Sequence, residues 1–323
     1  NGNLSSEFER SMLAWNIVRR TGIPSHVCAG NHDYSTGNWM NGNTNLLQQY
    51  LGISRDYGVQ IAEVADTPTL FISVPWQPDD EPLELAMRTM DQHPDKPVIL
   101  STHSVIEDLN PPGTTIGEGC GLRRPNNPCV IDRRGSNLDG RGHNSGQQML
   151  DKLMNLYPQI IAVYSGHDTT FGDMSMESML GLPMYLNLFD PQSDYAGGNA
   201  DYGLTTVYPD RFHIEKRSAH NYYARHGSRG PDRSDSYDIP ISLSERANYL
   251  REHTVLRFRE GTDTFICDYC GGRGTSQDLN ADSRTQRFLL KFTLNGIPLR
   301  KVIDKAVLTF TVEGSGADGP GFA

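Results

Sequence analysis

The stretch "QIIAVYSGHD", residues 159–168, is a continuous apolar run that stops at a glycine and then presents a histidine and a carboxylate. A run without polar alternation reads as a strand buried on both faces of a sheet. Two other places repeat the pattern. "HVCAGNHD" (26–33) ends its apolar run at Gly30 and continues with Asn31, His32 and Asp33, and "KPVILSTH" (96–103) runs from Val98 to a strand-end histidine, His103. Glycine, asparagine and aspartate suit tight turns, so each end taken alone reads equally well as a capped turn. Three in succession point to one site, because open sheets bind ligands where their strands end. Asn31 offers a carbonyl oxygen, and His103 and His167 offer neutral imidazole nitrogens. That mixture suits Mn, Fe, Zn or Ni better than Ca or Mg, which want oxygen ligands.

The surroundings supply helices and more strands. Ser6 to Glu9 reads as a capping box, with Phe8, Met12, Trp15 and Val18 at helical spacing behind it. "VQIAEV" and "TLFISVP" read as strands, residues 84–92 as a helix, and residues 108–142 as a long loop dense in Gly, Pro, Asn and Arg. A second helix is expected from about Ser145 to Leu156. "MYLNLF", "GLTTVY" and "RFHIEKRS" are further strands. Residues 224–250 are polar and rich in Gly and Ser, which reads as a linker. Beyond them the pattern is β only. Helices alternating with strands, followed by strands alone, predict an α/β domain and then a β-sandwich.

In this order and at these separations, "GNHD", "THS" and "SGHD" resemble the motifs of the calcineurin-like metallophosphoesterases, and "GHNSGQQMLDKLMNLYPQIIAVYSGHD" is similar to secreted bacterial members. The resemblance covers roughly residues 1–223. It implies a β-sandwich core flanked by helices, and a two-metal phosphoesterase. Mapped here, Asn31, His103 and His167 would bind one metal. His32 would sit beside the phosphate as general acid or transition-state stabiliser, with Asp33 orienting its ring. Two divalent transition metals (Mn, Fe, Zn or Ni) are expected in the full-length protein, where they acidify the water that attacks phosphorus. "DTFICDY" and "QRFLLKFTL", within residues 251–323, resemble the opening of the β-sandwich modules named for a DNRLRE motif. That implies a partial module binding an extracellular glycan or cell-surface polymer.

The chain also departs from the family. Its Asp-x-His and Gly-Asp motifs, which lie upstream of GNHD, are absent here, and no aspartate precedes Asp33. Thr169 stands where a second histidine ligand is usual, leaving Asp168 or Asp173 as candidate substitutes. The fold is therefore expected to be incomplete at its N-terminus, and the chain to be a fragment at both ends. The alternative is a non-catalytic structural or adhesive extracellular protein that keeps a degenerate phosphoesterase fold as a scaffold.

Composition narrows the partners. With 29 Lys and Arg against 39 Asp and Glu, the net charge of −10 argues against a nucleic-acid binder, whose affinity comes from neutralising phosphates. No apolar run approaches the roughly 20 residues of a membrane span. Cys120 and Cys129 bracket a Gly/Pro/Asn-rich loop and could form a disulfide, which would fit an extracellular, periplasmic or cell-surface protein. Cys267 and Cys270 form a lone C-x-x-C, half of a zinc site at most. The serine-hydrolase elbow G-x-S-x-G is missing, since Gly142 to Gly146 carries serine at the wrong spacing.

Overall fold

The computed structural model describes residues 5–30, 57–108, 120–121, 129–133, 144–167, 171–189, 201–218, 236–253, 261–267 and 286–292. The chain divides into two units, Asn1–His253 and Thr254–Ala323. The first begins with helix α1 (Ser5–Arg20), followed by strands β1 (Gly58–Val64) and β2 (Thr67–Ser73), helix α2 (Asp80–Gln92), and strands β3 (Val98–Ser101), β4 (Ile106–Asp108), β5 (Cys120–Gly121) and β6 (Cys129–Ile131). Helix α3 (Gly146–Met149) runs on as a π-helical turn, Leu150–Met154. After it come β7 (Ile160–Ser165), β8 (Phe171–Glu177), β9 (Pro183–Phe189), β10 (Asp201–Val207), β11 (Phe212–Ser218), β12 (Ser236–Ile239) and helix α4 (Leu243–Glu252). The second unit contributes β13 (Gly261–Cys267) and β14 (Gln286–Phe292), an antiparallel pair.

The architecture is mixed α/β. A seven-stranded sheet has the order β1-β2-β3-β7-β9-β8-β5, and a three-stranded antiparallel sheet has the order β10-β11-β12. Strands β2, β3, β7 and β9 are mutually parallel, while β1 and β8 join antiparallel. The parallel strands are the unbroken apolar runs of the sequence, as a sheet covered on both faces requires. Leu70, Ile72, Val98, Leu100, Val163 and Leu186 face one way, packing with Leu83, Met90, Met149 and Leu153 of the helices. Ile99, Ile161 and Tyr185 face the other way, against Phe212, Ile214 and Ile239 of the smaller sheet. Ala65 and Asp66, both at positive φ (46° and 59°), form the two-residue turn that fixes the β1–β2 register.

Two expectations change here. Residues 236–250 belong to β12 and α4 rather than to a linker. Their composition is polar, but Ile239, Ile241, Leu243, Ala247 and Leu250 turn inward, and so does the charged side chain of Arg246. Arg246 is 5% exposed and donates to the carbonyl oxygens of Pro158 (2.6 Å), Ile160 (2.9 Å) and Pro183. It thereby pins α4 to the N-terminal ends of β7 and β9. Burial lowers its pKa to about 10. The expected strand at Val27–Ala29 carries no ladder; its chain is held instead by the Trp76 N–H, which donates to the Ala29 carbonyl at 2.9 Å. Among the described residues no helix is long and apolar enough to cross a membrane.

Candidate metal centre

At their C-terminal ends, β2, β3 and β7 deliver Val74–Gln77, Thr102–Ser104 and Gly166–His167 to one edge of the sheet. The parallel ladder continues past the strands. Val74 N–H donates to Ser101 O (2.9 Å), Thr102 N–H to Tyr164 O (3.0 Å) and Gly166 N–H to His103 O (2.8 Å). The Thr102 hydroxyl reaches the Pro75 carbonyl at 3.0 Å. The strand-end loops are therefore in register with one another before any side chain is considered.

His103 and His167, 64 residues apart, meet here. His167 Nδ1 lies 3.1 Å from His103 Nε2, and the ring centroids are 4.9 Å apart at 63°. Trp76 walls both rings, with centroids 5.6 Å from His167 and 6.5 Å from His103. Gly30 presses on His103 from another side. A Cβ at position 30 would lie 2.8 Å from Cε1 and 2.9 Å from Nδ1 of that ring. The chain leading into the GNHD motif is thus packed on the strand-end histidine. Asn31, His32 and Asp33 lie outside the described residues, as do Asp168 and Thr169.

His167 has φ +79°, and Gln77, buried beside Trp76, has φ +43°. A side chain held in the left-handed region costs about 1–3 kcal/mol and persists where the surroundings over-determine it, commonly at functional sites. Asn144 secures the turn after Gln77, its amide donating to Pro78 O (2.8 Å) and Asp80 Oδ1 (2.9 Å). Asp80 also accepts from Lys152 Nζ at 2.8 Å, and that hydrogen bond chiefly holds its carboxyl below the usual range.

One rung below the histidines, a polar row crosses the large sheet in register: Ser73, Ser101, Tyr164, Asn187 and Asp173. Asn187 donates to Tyr185 Oη (2.9 Å), Tyr185 and Tyr237 share a hydrogen bond of 2.9 Å, and Tyr237 bonds the buried carboxylate of Asp173. Asp173, a candidate substitute ligand in the sequence, is engaged in this inter-sheet network. Tyr164 shares a hydrogen bond with Thr205 at 2.8 Å.

Burial pushes the Tyr164 hydroxyl up to about 12, and burial with the nearby Asp173 charge raises Tyr185 and Tyr237 as well. In the unfolded chain these phenols ionise near pH 10 while the native state keeps its protons, so stability is full below pH 10 and falls as pH rises above it. Each tyrosine contributes a slope of about 1.4 kcal/mol per pH unit. Urea midpoints measured from pH 9 to 11.5 are expected to drop steeply above pH 10, and less steeply for Tyr237→Phe. A flat profile would contradict this protonation scheme.

Among the described residues, no group of three or more His, Cys, Asp or Glu side chains is placed to hold a metal ion. Among the described residues the donor set is the histidine pair, whose 3.1 Å nitrogen–nitrogen contact is a ring-to-ring hydrogen bond of a length also compatible with two ligands of one ion. Two imidazole nitrogens about 2.1 Å from one metal, at an angle of about 90–110°, lie about 3.0–3.4 Å apart. Cys129 is disulfide-bonded; the Cys120 side chain lies outside the described ones. Sequence reading missed Trp76, Gln77 and the tyrosine network. "TLFISVPWQ" was a fourth apolar run ending in polar or aromatic residues, and that was the available signal. No family model matches the chain, and no curated protein matches it either.

Proposed function

We propose that this site belongs to a metal-dependent phosphoesterase of the calcineurin-like, secreted bacterial kind, acting on phosphomonoesters or phosphodiesters. One observation carries the reading: His103 and His167 turn ring nitrogens toward each other at ligand spacing, with the backbone that leads into GNHD packed on His103. Asn31, His103 and His167 would hold one ion of Mn, Fe, Zn or Ni. When bound, such ions supply Lewis-acid chemistry, acidifying water and polarising a phosphoryl oxygen. The chain's own residues do the rest. The ladder bonds at Thr102 and Gly166 fix the two histidines relative to one another, and Trp76 closes one side against water. His32 would protonate the leaving oxygen, and Asp33 would set its tautomer. Because no Asp-x-His or Gly-Asp precedes Asn31 in this sequence, the residues named here offer ligands for one of two metal positions.

The second unit, with its antiparallel β13–β14 pair, is read as belonging to a β-sandwich module that holds the enzyme to an extracellular glycan or cell-surface polymer. The protein, loaded in turn with Mn²⁺, Fe²⁺, Zn²⁺ or Ni²⁺, is expected to hydrolyse aryl phosphate esters. His32→Ala should lower kcat by about 10²–10⁴-fold, the usual contribution of a general acid. No turnover with any of the four metals would overturn the reading in favour of a non-catalytic scaffold.

A further inference from the structure

Ser104 follows His103 directly, and both Ser104 and Asp132 are 2% exposed. Ser104 Oγ donates to Asp132 Oδ2 at 2.7 Å. A carboxylate taken this far from water costs several kcal/mol unless its partners repay the loss, so its placement calls for an account. Asp132 directly follows β6, which pairs with β4, the strand leading away from the His103 loop. Its N–H donates to the Val105 carbonyl (2.8 Å), and its own carbonyl accepts from Gln147 at the start of α3 (2.9 Å). Gly146 is pressed so close that a Cβ there would lie 2.3 Å from Val105 O and 3.0 Å from Asp132 O. Three residues upstream on β6, Cys129 is buried and disulfide-bonded. Asp132 therefore sits at the end of a paired and covalently tied strand, with its own backbone wedged against a helix.

The His103 segment is gripped from two directions. On the sheet side, Thr102 and His103 are held through Pro75, Tyr164 and Gly166. On the far side, among the described residues, Ser104 donates to Asp132. We propose that Asp132 is a positioning residue: acting through Ser104, it locks the backbone of His103 so that Nε2 stays aimed at His167 Nδ1. This rests on the metal-site reading above and adds to it a residue that touches neither metal nor substrate. Partners of this kind set ligand orientation and typically govern affinity by 10–100-fold.

Two readouts on the whole chain test the proposal. In metal-free protein, Ser104→Ala is expected to speed hydrogen exchange at the Gly166 amide, whose acceptor is the His103 carbonyl, while the amides of Val98–Leu100 stay protected. Cobalt(II) affinity should fall about tenfold, and Ser104→Thr, which keeps the hydroxyl, should restore both. If Ser104→Ala fails to fold, Ser104→Ala combined with Asp132→Asn removes the buried charge along with its donor and is read the same way. Exchange at Gly166 that is unchanged, or that rises only in step with the core strands, overturns the positioning role. If wild-type protein takes up no cobalt, the metal-site reading falls, and the exchange arm still decides whether Asp132 holds His103.

Discussion

Arg246→Met is expected to destabilise the first unit by about 3–5 kcal/mol, lowering its thermal midpoint by about 10 °C. Methionine keeps much of the volume but none of the donors. The carbonyls of Pro158, Ile160 and Pro183 each lose a charged hydrogen-bond partner within the protein interior, and a buried acceptor left without a donor costs about 1–3 kcal/mol. The loss should appear in urea and thermal unfolding alike. Ending the chain at residue 223 removes Arg246 together with β12, and with them Ile239, Ile241 and Leu243 from the inter-sheet core. That shortened chain is expected not to fold, whereas one ending at His253 should. A stable protein ending at 223 would contradict the packing described for α4.

Gly30→Ala should have the opposite profile, with little change in stability and a large change at the site. The new Cβ meets side-chain atoms of His103, 2.8–3.1 Å away, and no backbone atom is among its nearest contacts. An imidazole can swing about its own torsions, so the fold is spared. The swing carries Nε2 away from His167 Nδ1, and the spacing that suits a shared ion is lost. Metal affinity, measured by competition with a chromophoric chelator, is expected to fall about 10–100-fold. Unchanged affinity would mean that the His103 ring orientation seen here is irrelevant to binding.

Much of the layout was legible because it depends on local pattern. The unbroken apolar runs at 98–101 and 160–165 became adjacent parallel strands, and the glycine or small polar residue after each marked where the site lies. The pairing of His103 with His167 followed from strand order, to which residue spacing is only indirect evidence. The tail of the first unit was illegible for a physical reason. Arg246 is charged and sits in a Ser/Glu/Arg/Asn stretch, and nothing local to that stretch shows that its guanidinium meets three carbonyls 63 to 88 residues away. The same holds for Asp132, whose neighbours in sequence look like surface loop. Buried polar groups take their meaning from partners distant in the chain, and hydrophobic periodicity does not register them.

Zinc titration of ¹⁵N-labelled protein, followed at the histidine ring nitrogens, interrogates the two facing atoms themselves. His103 Nε2 and His167 Nδ1 should shift together and saturate with a single ion, while His213, on the three-stranded sheet, stays put. Both responses should vanish in His167→Ala. Zinc binding that leaves those two nitrogens unmoved, or no binding at all, would contradict the metal centre proposed here.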